Sequence, residues 1–83
     1  MTPIKIQLLF REAEYYKLFG NIKMSTEKFI AVKDMCEIWT GDDNNESIRY
    51  AALFNLGLIY LESGNIKKMF EAKKLFEEIR KEQ

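Results

Sequence analysis

The four residues GNIK occur twice in this chain, at positions 20–23 and 64–67, which are 44 residues apart (64 − 20). A shift of 44 also aligns residues of the same physical type on both sides of the motif. The aligned pairs are Leu9 with Leu53, Ala13 with Gly57, Tyr16 with Tyr60, Val32 with Phe76 and Met35 with Ile79. A chance match would not keep its flanks in register, so we infer an internal duplication.

Helix signals cover nearly the whole chain and divide each copy into two helices. Pro3 suits a first helical position after Thr2 as N-cap, and Asp43 followed by Glu46 resembles a capping box. Glycine stops are expected at Gly20, Gly41 and Gly64. The predicted helices run from Pro3 to about Phe19, from a cap at Ser25 or Thr26 to about Thr40, from Asp43 to Ser63, and from about Lys67 to Lys81.

The apolar spacing predicts how these helices pack. No segment alternates with period two, so the expected fold is all-α: four antiparallel helices as two helix-turn-helix repeats in one domain over 1–83. The repeats span about 3–40 and about 44–81. Helix 3 is apolar nearly all round, which predicts a central helix packed against helices 2 and 4. The other expected core faces are Ile6, Leu9, Phe10, Ala13 and Tyr16 on helix 1, Phe29, Val32, Cys36 and Trp39 on helix 2, and Met69, Ala72, Leu75, Phe76 and Ile79 on helix 4.

The second copy resembles a tetratricopeptide (TPR) repeat. The matching residues are Leu53, Leu56, Gly57, Tyr60, Gly64, Ala72 and Phe76. The resemblance implies that Gly57 lets helix 4 approach closely, with Tyr60 and Phe76 beside it. Eight residues separate Gly64 from Ala72 (72 − 64), a lengthened turn that is similar to the related Sel1-like repeats. The first copy departs from the pattern at Glu12, Ala13 and Lys28, and Ile22 and Ile66 are expected to fill the corners of the turns.

The composition argues against catalysis and against several partner classes. The chain has no histidine, which removes the usual general base and the commonest transition-metal ligand. Its one cysteine, Cys36, falls on an apolar helix face and suits a buried thiol in a reducing compartment. Thirteen basic and thirteen acidic residues leave no excess charge for nucleic acid. We therefore expect a cytoplasmic protein that is not an enzyme and has no cofactor, metal, small-molecule substrate or membrane segment.

The resemblance implies a concave groove lined by the first helix of each repeat. An apolar groove of this kind suits a hydrophobic helix or extended segment. The expected partner-binding residues are Phe10, Glu14, Lys17, Leu18, Phe54, Leu58, Leu61 and Glu62, and Gln7 and Ala51 line the same surface. The alternative is that helix 1 closes over these residues and makes them core.

Helix 1 carries a second apolar stripe, nearly opposite its expected core face. Its members lie within about 60° of one another at 100° per residue, and they are Ile4, Leu8, Tyr15 and Phe19. Because two repeats alone bury little core, this stripe is a candidate homodimer interface. The alternative is that Tyr15 and Phe19 fold under the 20–25 loop.

The expected function is thus a protein-protein interaction module, an adaptor or regulator that binds a protein or peptide partner through helices 1 and 3. Two other functions remain open. The chain could be a homo-oligomeric structural protein that assembles through helix 1. It could also be a small regulator or inhibitor that docks on a larger enzyme.

Overall fold

The structure, a computed structural model, describes residues 3–38 and 43–81. Within these ranges it contains four helices, α1 (Ile4–Leu18), α2 (Ile22–Ile38), α3 (Asp43–Glu62) and α4 (Ile66–Lys81), and no strand. Short connections join α1 to α2 and α3 to α4 as packed helical hairpins. This confirms the all-α prediction. Outside the described part lie the expected cap Thr2, Trp39, the expected helix 2 end at Thr40 and Gly41, and the side chains of Asp43 and Glu46.

Both GNIK motifs form the same compact turn. Gly20 has φ +82° and Gly64 has φ +74°, the left-handed conformation predicted for a helix stop. The residue after each glycine caps the following helix. Asn21 Oδ1 accepts a hydrogen bond from the Met24 N–H at 3.2 Å. Asn65 Oδ1 accepts one from the Lys68 N–H at 3.3 Å in the second copy. The repeated motif therefore pairs a glycine that ends one helix with an asparagine that caps the next.

The prediction that Ser25 or Thr26 caps helix 2 is wrong. Because Asn21 supplies the cap, α2 begins at Ile22. Ser25 is fully buried one turn inside the helix, and its hydroxyl donates to the Ala13 carbonyl oxygen at 2.7 Å. The Thr26 hydroxyl donates to the carbonyl oxygen of Ile22. Both hydroxyls thus act inside α2, and that of Ser25 ties α2 to α1.

Four other helix ends differ from the prediction by one residue, while the end of α4 at Lys81 agrees with it. Pro3 is the N-cap of α1 rather than its first residue. Phe19 and Ser63 fall just after their helices, and Ile66 falls inside α4.

The turn between α3 and α4 is not lengthened. It spans residues 63–65, as short as the 19–21 turn, because the residues before Ala72 form the first turns of α4 instead. Ile22 and Ile66 are exposed and do not fill the corners.

α3 is the central helix, as predicted, and it packs against both α2 and α4. Its Ala52, Leu56 and Ile59 join a core cluster that includes Phe29 of α2. Toward α4, a Cβ added to Gly57 would lie only 2.6 Å from Phe76 Cζ. The remaining side of α3 is open, and Phe54 and Leu61 are exposed there, so the helix is not buried all round.

The helices form an open stack rather than a closed bundle. Within residues 3–38 and 43–81, extensive packing joins only helices that follow one another in the chain. Ile59 near the end of α3 borders the same depression as Ile22 at the start of α2, so these two helices run antiparallel. The molecule measures 36 × 30 × 16 Å along its principal axes. An open stack leaves one outer face on α1 and another on α4.

Candidate interaction surface

The groove residues predicted on α1 fall into two environments. Phe10 is half-buried and meets Phe29 edge-on at 5.7 Å between ring centroids, so much of its surface belongs to the core. Leu18 is 83% exposed. Glu14 is also exposed and accepts a hydrogen bond from Arg11 at 3.1 Å.

Lys17 joins α1 to α3. Its ammonium group donates to Asn55 Oδ1 at 3.1 Å, and the Asn55 amide group donates in turn to the Ala51 carbonyl oxygen at 2.8 Å. The second bond fixes which end of the Asn55 amide faces Lys17. Sequence reasoning missed Asn55, although a lone amide in the apolar run of helix 3 was an available signal. This hydrogen bond links α1 directly to α3 along the predicted groove.

The α3 half of the groove is apolar and ordered. Phe54 and Leu61 are exposed and Leu58 is half-buried. The Phe54 ring lies 5.9 Å from the Phe76 ring of α4, which supports it from behind. The spacing of these residues places them along one side of α3, turned away from α2.

The structure does not bring the whole predicted set into one groove. An open depression between α1 and α3 is lined by Arg11, Glu14, Tyr15, Lys17, Leu18 and Asn55. Leu61 instead borders a depression on the α4 side with Met69 and Phe76. Glu62 borders a third one with Ile22 and Lys23 of α2. The surface is therefore a broad face in which Leu18 and the Phe54–Leu58–Leu61 strip are the apolar elements.

The second apolar stripe of α1 is exposed to solvent along its whole length. Ile4, Leu8, Tyr15 and Phe19 are between 58% and 74% exposed. The rings of Tyr15 and Phe19 lie 4.6 Å apart and pack against each other rather than beneath the turn. The alternative in which these two rings fold under the 20–25 loop is therefore wrong.

A further exposed pair at the start of α4, Ile66 and Phe70, was not predicted, although its i, i+4 spacing was visible in the sequence.

Cys36 is buried, as predicted from its helix face. Burial raises the pKa of its thiol, while Arg49 acts in the opposite direction and Glu37 adds to the rise. A raised pKa lowers the fraction of reactive thiolate at neutral pH. The described part of the chain contains no group of three or more Cys, Asp or Glu side chains arranged to hold a metal ion.

Comparison of the chain with protein-family models, with curated proteins and with solved structures found no match. Within residues 3–38 and 43–81, no helix combines the length and apolar character needed to cross a bilayer.

Proposed function

We propose that this protein is a non-catalytic interaction module that binds an apolar helix or extended segment of another protein across the α1–α3 face. The observation behind the proposal is the strip of Phe54, Leu58 and Leu61, in which Phe54 and Leu61 are exposed and Leu58 is half-buried. Contiguous apolar surface displayed on an ordered helix is typical of protein-binding sites.

Two contacts make this face a preorganised surface. The Phe76 ring supports Phe54, and the Lys17–Asn55 hydrogen bond holds α1 beside α3. A surface that is already ordered loses little side-chain entropy when a partner binds. In this proposal, apolar burial supplies the affinity, and the exposed carboxylate of Glu14, which lines the depression between α1 and α3, orients the partner at the rim.

The side-chain chemistry supports a binding role rather than catalysis. The chain has no histidine, and burial disfavours the thiolate of its one cysteine. A free buried thiol also suits a reducing compartment, so we place the protein in the cytoplasm.

The test is affinity capture from cells of the native source with three forms of the full chain. These are the wild type, Phe54→Glu combined with Leu58→Glu, and a control, Phe70→Glu, which changes an exposed aromatic residue outside this face. A partner held by the wild type and the control should be lost with the double variant. Two carboxylates placed in an apolar contact weaken binding by about a hundredfold or more.

Circular dichroism must show that the double variant keeps its native helix content. If it is native and still retains the same partner, the α1–α3 face is not the binding surface.

A further inference from the structure

Exposed apolar side chains at the two ends of the stack form two patches. The head patch, on α1 and the turn after it, consists of Tyr15, Leu18 and Phe19. The tail patch, at the start of α4, consists of Ile66 and Phe70, which are 71% and 63% exposed. All five residues are exposed, and none of them belongs to the core cluster or packs against it.

The internal duplication relates both patches to one contact inside the molecule. α2 packs against α3 at a depression bordered by Ile22 and Thr26 from α2 and by Ile59, Glu62 and Ser63 from α3. Adding 44 to the α2 residues gives Ile66 and Phe70, the tail patch. Subtracting 44 from the α3 residues gives Tyr15, Leu18 and Phe19, the head patch.

The two patches therefore occupy the positions that face each other when one hairpin packs on the next. They are also more apolar than their internal counterparts, because Phe70 replaces Thr26, Leu18 replaces Glu62 and Phe19 replaces Ser63. This contact inside one chain borders an open, partly polar depression. The same contact between two chains would gain large apolar side chains at these three positions and keep a charged border at Lys67 and Glu71, which correspond to Lys23 and Glu27.

We propose that the protein stacks head to tail on copies of itself, with the tail patch of α4 docking on the head patch of α1 of the next copy. The stacking repeats the relation that already places α2 on α3, so α4 of one copy lies antiparallel to α1 of the next. Such a contact joins two different surfaces, so a stack of any length still offers a free head at one end and a free tail at the other. The proposal goes beyond the α1–α3 binding face: stacking covers Tyr15 and Leu18 at the α1 edge of that face and leaves the Phe54–Leu58–Leu61 strip open.

Charges along the same contact both favour and limit the stacking. Lys73 corresponds to Phe29, and Glu12 corresponds to Leu56, and these two internal residues share one core cluster. Lys73 would thus lie on the α4 side of the contact and Glu12 on the α1 side, and Glu12 already lies 3.6 Å from Lys28 of its own chain.

Farther along, Arg80 corresponds to Cys36 and Lys5 to Arg49, a pair close enough for Arg49 to act on the thiol. Two cations then face each other. The contact also involves a single helix from each copy, which is small for a stable interface. We therefore expect reversible, concentration-dependent association rather than an obligate assembly.

A two-fold dimer formed by α1 alone would explain the head patch but would leave Ile66 and Phe70 uncovered. Head-to-tail stacking covers both patches with one contact. The two arrangements predict different behaviour of single-site variants.

Sedimentation velocity of the full chain over the micromolar range tests the stacking. The wild type should grow beyond a dimer as its concentration rises. Tyr15→Glu blocks the head and Phe70→Glu blocks the tail, so each variant alone should be monomeric. An equimolar mixture of the two should form a one-to-one complex and nothing larger, because one intact tail meets one intact head. Phe54→Glu, which changes the α1–α3 face, should associate like the wild type.

Charge reversal at the far end of the contact gives the opposite effect. Arg80→Glu would face Lys5 of the next copy and should tighten self-association several-fold, as expected for an exposed pair that changes from repulsion to attraction. Circular dichroism checks that each variant is folded, and Phe19→Glu replaces Tyr15→Glu if the latter is not.

Three results would overturn the proposal. They are a wild-type chain that stays monomeric throughout, a Phe70→Glu variant that associates as the wild type does, and a mixture of head and tail variants that remains monomeric. The second result together with a monomeric Tyr15→Glu variant would show that α1 pairs with itself.

Discussion

At the scale of single residues, the contact between Gly57 and Phe76 sets how closely α4 approaches α3. The duplication places Ala13 and Val32 at the same positions of the first hairpin, and both are fully buried. A smaller residue on the first helix is thus matched by a larger one on the second. Exchanges of this kind keep the packed volume constant, which interiors tolerate best.

Replacing Gly57 tests this match. Alanine normally stabilises a helix by about 1 kcal/mol relative to glycine. Here its Cβ would lie within 2.7 Å of two Phe76 ring atoms, so we expect Gly57→Ala to destabilise the fold by about 1–3 kcal/mol. Gly57→Leu should cost more than that range, and urea denaturation measures both.

Phe76→Leu provides the control for these substitutions. Combined with Gly57→Ala, it should cost less than the sum of the two single changes, because the shorter side chain relieves the clash. Strict additivity of the two changes would mean that Phe76 is not what restricts position 57.

Two further residues give the fold a defined response to alkaline pH. Burial raises the pKa of Cys36 and of Tyr60, and Glu71 adds to the rise at Tyr60. Above the ordinary pKa of each group, the unfolded chain therefore loses a proton that the folded chain retains. Near neutral pH both groups are protonated in both states, so they should not make the free energy of unfolding change with pH. It should fall above about pH 8.5, where Cys36 of the unfolded chain loses its proton, and fall further above about pH 10, where Tyr60 does.

The measurement is urea denaturation at a series of pH values. A chain with Cys36→Ala and Tyr60→Phe should start from a different stability but lose less of it between neutral and alkaline pH. If its slope equals that of the wild type, other groups cause the alkaline loss.

At the scale of elements, each hairpin is defined by the pair of residues at its turn. Gly20 and Gly64 end the first helices, while Asn21 and Asn65 accept hydrogen bonds from the first turns of the second helices. Because the two turns are equivalent, the caps should contribute similarly to stability.

Asn21→Ala and Asn65→Ala should each lower the free energy of unfolding by about 1 kcal/mol, since each removes the acceptor for a helix N-terminal N–H. Asn21→Asp and Asn65→Asp keep an acceptor and are the matched controls. Thermal denaturation followed by circular dichroism measures all four. Equal loss in the alanine and aspartate variants would exclude the cap as the source of the effect.

At the scale of the whole molecule, the sequence predicted the element types and the core better than the surface. Apolar periodicity identified Ile6, Ala13 and Ala72 as buried because a helical repeat alone determines which residues share a face. The preference of hydroxyl residues for N-cap positions placed the helix 2 cap at Ser25 or Thr26. It missed Asn21, which follows a glycine stop too closely to leave the expected loop.

The candidate surface was harder to predict for a physical reason. Whether Lys17 meets Asn55, or whether Leu61 and Glu62 face the same depression, depends on how two helices are rotated and spaced relative to each other. The periodicity of a sequence shows at which angle a residue lies around its own helix. It does not show how that helix is rotated relative to its neighbour. The exposed stripe of Ile4 and Leu8 was predictable because it depends on one helix alone.

The packing of each helix on its neighbour in the chain also bears on how the molecule forms. Within the described ranges, every extensive helix contact joins consecutive helices, and the hairpin turns span only three residues. The chain therefore closes short loops and does not need to bring its two ends together before native contacts stabilise it. Proteins dominated by such local contacts have low contact order and fold in microseconds to milliseconds. The open stack should accordingly fold quickly, with either hairpin able to form first.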